Sequence, residues 1–433
     1  MNKNLTTTNQ NAKLALSKSK SLLDITNKLL SQKDIGELTQ SFPFKPFLRE
    51  NGYSSSVYSV AVSPDGKTIV SGSKDRTIKI WDMQSGECIN TLLGHSDWVR
   101  SVAITHDGKY IVSGDMDKTI KLWEISSGKC LRTFEGHDSY IESVAVTPDG
   151  NYIVSGSSDI KLWEINSGKE LRTFRGHSIA VSSVAITPDG KYIVSAGAWD
   201  NAIMLWEINS GKKLRIFEGH SEGVNSVAIS SDGKYIVSGS LNGTIKLWEI
   251  DSDKQVRTFK GHNNFLNSLA ISADAKYIVS GYGADNRASG VIEQFEINSS
   301  KDIQTLRGHK LLISSVAITL DGKTIVSGSS DGTLKIWDMQ SGECIYTIDN
   351  EAKISIDKDG YFVGEMDEIV EYVRVSEAPL TQRKLTDEEI KHFRKKRNFL
   401  KVGKIVPKPK VEPVQIRKKD IPKIDIYEDE IPF

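Results

Sequence analysis

Cysteine is scarce in this chain, with three in 433 residues, and their number is odd. Cys88, Cys130 and Cys344 form no Cys-x-x-Cys pair, so neither a disulfide framework nor a thiolate metal site is expected. Each follows a Ser-Gly turn in one of three similar stretches, a place that suits a small semi-apolar residue on an outer strand. No run of about 18 apolar residues occurs, so no membrane-spanning helix is expected. The opening MNKNLTTTNQNAKLALSKSK has no apolar core of signal-peptide length, which makes the cytoplasm the expected compartment. A Walker loop, His-Glu-x-x-His, Gly-x-Ser-x-Gly and a dinucleotide fingerprint are all missing, leaving the enzyme classes built on them without a motif. Proline is modest at 11 against 34 glycines, a balance that favours many tight turns.

Net charge is zero, but its distribution is uneven. Residues 1–42 carry six lysines against three acids, and 383–424 carry fifteen Lys and Arg against five acids. The last nine residues hold four acids, so the body of the chain is acidic and is followed by a basic segment.

What the sequence has in abundance is itself, repeated. Gly-His pairs end at His95, His137, His177, His220, His262 and His309, at spacings of 42, 40, 43, 42 and 47. Trp81, Trp123, Trp163, Trp206, Trp248, Phe295 and Trp337 keep the same rhythm. Within a unit, SVAIT alternates, an Asp-Gly turn follows, KYIVSG and IKLWEI alternate, Ser-Gly turns, and CLRTF closes. Four short strands every 42 or so residues describe a propeller blade. Asp65-Gly66, Asp107-Gly108 and Asp149-Gly150 read as turn chemistry, not calcium loops.

Over residues 57–348 the chain resembles the WD-repeat proteins, in a bacterial form. The Trp-Asp pair stands at Trp81-Asp82 and Trp337-Asp338, and the other units read Trp-Glu or, at Phe295, Phe-Glu. The resemblance implies an all-β propeller with seven regular blades. A degenerate eighth is the alternative, and the strand count leans towards it. AKISIDKDGYFVGE mimics a first hairpin and IVEYVRV a third strand, while FKPFLRE stands where a fourth would lie. Pairing of that stretch with residues 369–375 would close the ring with both chain ends and leave no open edge.

Each regular unit brings together a His, a Ser, an Asp and a Trp, as in His95, Ser113, Asp117 and Trp123. The matching residues are His137, Asp159 and Trp163; His177, Asp200 and Trp206; and His309, Asp331 and Trp337. Asn242 replaces the Asp beside His220 and Trp248. A catalytic triad draws on these residue types, but a nucleophile repeated in every unit is implausible. The family resemblance implies a buried hydrogen-bond chain instead, which satisfies polar groups and fixes packing. No catalytic residue, metal or cofactor is expected.

Function is sought where the units differ. Trp98 and Trp199 fall outside the repeat. The resemblance places them on one face, the top, around the mouth of the central channel. The same positions read around the ring give Tyr58, Trp98, Arg100, Tyr140, Trp199, Leu241, Phe265 and Leu312. Aromatic residues and Arg dominate interface hot spots, so a partner protein or peptide is expected on this face.

Four regions follow: a helical extension over 1–42, the propeller over 43–378, a basic helix and extended linker over 379–424, and an acidic tip over 425–433. Leu16, Leu23 and Leu30 are heptad-spaced in the first, pointing to docking on the propeller or to association, and otherwise to a monomer. Thr386 and Glu389 form a capping-box pattern before the basic run Lys391, Arg394, Lys395, Lys396 and Arg397, for which direct nucleic-acid binding is not expected. The ending DIYEDEIPF resembles the acidic tip of bacterial single-stranded-DNA-binding proteins. That resemblance implies Ile431, Pro432 and Phe433 as an apolar anchor, with Asp425, Glu428, Asp429 and Glu430 steering towards a basic rim. The leading expectation is a non-enzymatic interaction scaffold. The alternative is a DNA-repair or replication accessory, recruited through that tip by proteins that bind such tails.

Overall fold

A computed structural model describes residues 47–48, 56–252, 254–262, 265–283, 289–299, 302–351, 354–358, 362–363, 373–378 and 381–384. The described regular elements are all strands. Each repeat folds into a four-stranded antiparallel sheet; in the second the strands are Val99–Ile104, Tyr110–Asp115, Ile120–Glu124 and Cys130–Phe134. The first turn shows why. Asp107 accepts hydrogen bonds from Thr105 Oγ1 (2.6 Å) and Lys109 N (3.1 Å), while Gly108 takes φ +69°, a left-handed conformation that costs glycine little.

Seven such blades surround a central axis, with inner strands Val57–Val62, Val99–Ile104, Ser143–Val146, Val181–Ile186, Val224–Ile229, Leu266–Ile271 and Ile313–Ile318. An inner strand is a sheet edge, and its free N–H groups need acceptors. One recurring serine supplies them. Ser59 Oγ accepts from Val102 N (3.1 Å), Ser101 Oγ from Val144 N (3.0 Å) and Ser143 Oγ from Val184 N (3.1 Å). The series continues from Ser183 to Val227 N, Ser226 to Leu269 N and Ser268 to Val316 N. Ser315 Oγ then accepts from Val60 N at 3.1 Å, which joins blade 7 to blade 1 and completes a seven-membered ring.

Apolar cores lie between blades rather than within them. Trp123 of blade 2 packs with Val70, Ile78 and Leu92 of blade 1, and Trp81 of blade 1 packs with Val326, Leu334 and Ile348 of blade 7. Blades come close enough that a Cβ on Gly72 would stand 2.8 Å from Val99 Cγ1.

The ring therefore closes at seven, and the strand count that leaned to eight is corrected. Ile354–Asp357 and Phe362–Val363 add to the outer edge of blade 7, where Ile348 pairs with Ser355, and begin no new blade. FKPFLRE does meet the downstream segment, with Phe47 opposite Arg374 and Leu48 opposite Val373. This pairing forms a separate three-stranded sheet with Thr381–Lys384 and is not part of the ring. The helical readings at 11–32 and 386–400, and the tip at 425–433, lie outside the described residues.

Candidate partner-binding face

The recurring polar residues meet inside the blades. In blade 2, Ser113 Oγ lies 2.7 Å from His95 Nε2 and accepts the Trp123 indole N–H at 2.8 Å. Blade 4 repeats this with His177, Ser195 and Trp206, and His177 Nδ1 stands 2.8 Å from Asp200. In blade 7, His309 lies 2.7 Å from Ser327 and 3.0 Å from Asp331, and Ser327 accepts from Trp337. Blade 3 joins His137, Ser155 and Trp163, but Asp159 stays 3.5 Å from the ring nitrogen. In blade 5, Asn242 bonds to Thr244, whose hydroxyl approaches His220 Nδ1 at 3.4 Å. All of the serine hydroxyls named here are fully buried, so no substrate reaches them and the geometry offers no nucleophile.

Three blades depart from the pattern. Blade 1 has no preceding Gly-His, and Asn350 takes the histidine's place on Ser71. Blade 6 lacks the Trp; Ser280 donates to the Tyr282 hydroxyl (3.1 Å), and His262 turns to a buried Glu293. Blade 2 carries Asp115 where most blades have Ser. Asp115 Oδ2 lies 3.0 Å from His95 Nδ1 and accepts from Asp97 N at 3.3 Å.

These environments set opposite protonation preferences. Burial opposes charge on His95, but its hydrogen bonds to Asp115 and Asp117 outweigh this and raise its pKa. Burial lowers His177 and His309 despite their Asp partners, and burial with the Lys246 charge brings His220 to about 4. His95, Asp115 and Asp117 place three ligand-type atoms within 4.8 Å of one another. Their oxygens are already engaged: Asp117 accepts from Ser96 N (3.1 Å) and Thr119 N (2.9 Å), and Asp115 from Asp97 N.

A second recurring bond defines the top face. The backbone N–H after the second strand donates to the residue that precedes the inner strand: Lys74 to Ser56, Met116 to Trp98, Leu241 to Gly223, Gly283 to Phe265 and Ser330 to Leu312. Trp98, Leu241, Phe265 and Leu312 therefore share one end of their blades. Tyr58 and Arg100 occupy β-bulges in the first pairing of blades 1 and 2, which turn their side chains out of the ladder.

On blades 1 to 3 these side chains form one ladder. Lys74 Nζ sits 4.8 Å over the Trp98 ring, Trp98 stacks on Tyr58 at 5.7 Å, and Arg100 lies 4.9 Å over Tyr58. Arg100 then pairs with Glu142 at 2.7 Å. The sequence reading missed Lys74 and Glu142, which hold repeat-equivalent positions next to residues it chose. The other aromatic and aliphatic groups stand apart and open: Tyr140 on blade 3 is 45% exposed, and on the later blades Trp199 is 70%, Phe265 53% and Leu312 39%, while Leu241 is half-buried. A one-residue insertion before Asp200 places Trp199 outside the blade.

The fold and this face define a repeat propeller, with a recurring polar network inside and one end that varies from blade to blade. The WD domain, G-beta repeat model matches residues 44–82, 86–124, 128–164, 168–207, 211–249, 253–289 and 300–338, and the chain belongs to that WD40 family. Among curated proteins it is similar over 65 residues to the ribosome biogenesis protein BOP1 homologs of Drosophila grimshawi and Drosophila ananassae, at 45% identity, and to that of Drosophila persimilis at 43%. Each match covers 15% of this chain, and the chain spans 8% of the length of these relatives.

Proposed function

We propose that the chain is a non-enzymatic scaffold that presents the top face of its propeller to a partner protein or peptide. The observation that carries this reading is the preformed Lys74–Trp98–Tyr58–Arg100 ladder together with the exposed Trp199, Phe265, Tyr140 and Leu312 spaced around the ring. Exposed aromatic side chains and Arg are what interface hot spots draw on. The ladder is already ordered in the free chain, so little rotamer entropy is lost on docking. The buried His, Ser, Asp and Trp residues serve the scaffold. The working state is a monomer in the cytoplasm, unless the N-terminal segment associates.

The test is affinity capture with the full chain and with a Trp98→Ala, Trp199→Ala variant shown to fold. Loss of specific partners from the variant supports the reading; an unchanged set overturns it. The DNA-metabolism alternative and the bacterial assignment rest on residues 425–433, and the three curated relatives named above come from Drosophila. A chain ending at residue 423 that retains every partner removes that alternative.

A further inference from the structure

Five seams between neighbouring blades are closed at the outer rim by a side chain from the preceding blade, Arg215 to Ile250 O among them. The sealing residue is the third of the outermost strand, and it meets the last turn of the next blade. Arg132 donates to Asn166 O (2.8 Å) and Ser167 O (3.1 Å), and Arg172 to Asn209 O and Ser210 O. Arg257 donates to Ile297 O (2.8 Å), and Gln304 to Met339 O (2.8 Å).

At the seam between blades 7 and 1 that position is Tyr346, which packs with the apolar seam cluster. The seal comes from further along the chain. Ser355, in the strand Ile354–Asp357 added outside blade 7, donates to Ser85 O at 3.2 Å, the carbonyl equivalent to Ser167 O and Ser210 O. Ser355 is buried, and a Cβ placed on Gly86 would stand 2.7 Å from the Ser355 Cβ. All four core strands of blade 7, from Ile313–Ile318 to Cys344–Asp349, are consecutive in sequence. Within the described residues, no strand is exchanged between the chain's two ends inside a blade.

We propose that Ile354–Asp357 is a detachable latch. It closes the propeller from outside the ring, and its release opens the seam between blades 7 and 1 ahead of the other six. Besides the apolar cluster of Trp81 with Val326, Leu334 and Ile348, the seam carries hydrogen bonds from Val60 N to Ser315 Oγ, Ser56 Oγ to Ser330 O and Ser71 Oγ to Asn350 Oδ1. The covalent chain crosses each of the other seams but not this one. The family match ends at residue 338, so the latch lies beyond the repeats themselves.

Hydrogen exchange of the full chain, read strand by strand, tests the proposal. Gly86→Ala wedges a methyl against Ser355. Gly66→Ala is the control: the same blade and the same φ of +69°, but nothing within 4 Å of the added Cβ. Gly86→Ala is expected to speed exchange in Val57–Val62 and Ile313–Ile318 about tenfold relative to Val181–Ile186 of blade 4, and Gly66→Ala to leave that ratio unchanged. Ser355→Ala, which keeps the backbone and removes one hydrogen bond, is expected to give the same pattern at about threefold. Equal effects of the two glycine variants, or faster exchange spread evenly over all blades, would overturn the latch.

Discussion

Ser71 and Asn350 stand 279 positions apart in sequence, yet the Ser71 hydroxyl donates to the Asn350 side-chain oxygen at 2.9 Å, while the Trp81 indole N–H donates to the same hydroxyl. Five blades draw their polar partner from a Gly-His pair, and blade 6 uses Tyr282. The first takes it from the residue that follows the seventh blade's outermost strand. Both groups are buried, so removing one leaves the other unsatisfied. Asn350→Ala is expected to lower unfolding stability by about 1–3 kcal/mol, measured by urea denaturation. A loss within error would show that the bond contributes nothing to closure.

The serine ring makes a prediction of its own. Ser101→Ala removes the acceptor of Val144 N and leaves a backbone donor with no partner at a blade junction. A cost of about 1–3 kcal/mol is expected, and similar costs at Ser183 and Ser268 would follow from the shared geometry. Thermal unfolding of the three variants checks this. A neutral result at all three would mean that water replaces the hydroxyl without loss.

Blade 2 should differ from its neighbours in pH response. The pKa of His95 is raised in the folded chain, so its contribution is fully present below the unfolded histidine value and is lost as pH rises through the folded one. Asp115, raised by burial, also favours the lower pH. Asp117 is lowered, so its contribution persists until strongly acid conditions. The stability advantage of the parent chain over Asp115→Ser is therefore expected to be larger at pH 6 than at pH 9. Denaturant midpoints at the two values test this, and a difference independent of pH would refute it.

His220 has the opposite sign. Its pKa falls to about 4, so the neutral ring is favoured by folding, and stability is lost as pH drops from the unfolded histidine range towards 4. Ser238 Oγ lies 2.7 Å from His220 Nε2, and His220→Gln, which keeps a polar group there, is expected to flatten that acid limb. An unchanged limb would assign the loss to other groups.

Trp98 and Trp199 should separate stability from binding. Trp199 is mostly exposed, and Trp199→Ala is expected to change stability by no more than about 0.5 kcal/mol. Trp98 is stacked between Tyr58 and Lys74, and its replacement should cost about 1 kcal/mol. Denaturation of each single variant measures this; a large loss from Trp199→Ala would mean that it packs within the blade.

The repeat was legible because every unit states its strands and turns in nearly the same letters, and chemistry repeated in all units marks scaffold. The blade number was harder to read. It depends on which inner strand bonds to which, and the serine that makes those bonds sits unmarked in each SVA triplet, or SLA at Ser268. AKISIDKDGYFVGE was misread for a physical reason: a hairpin that extends an outer edge has the same alternation as one that starts a blade. Asn350, Asp115 and Ser355 were hidden because their roles come from neighbours across a seam or from a departure at a single repeat position. Trp98 and Trp199 stood out because they interrupt the rhythm, whereas Lys74 and Glu142 occupy ordinary positions and gain their place only by touching an aromatic ring or Arg100.

The serine links all point the same way, each amide reaching back to the hydroxyl of the blade before it. A head-to-tail circle of this kind has no terminal member. Open arrays of repeats fray from their ends and tolerate the gain or loss of a unit there. In this chain a duplicated unit would have to break one of the seven serine links and find a new angle for every other junction. Gain or loss of a repeat therefore has to remake the junctions together, whereas a change in a loop at a blade tip leaves the circle intact.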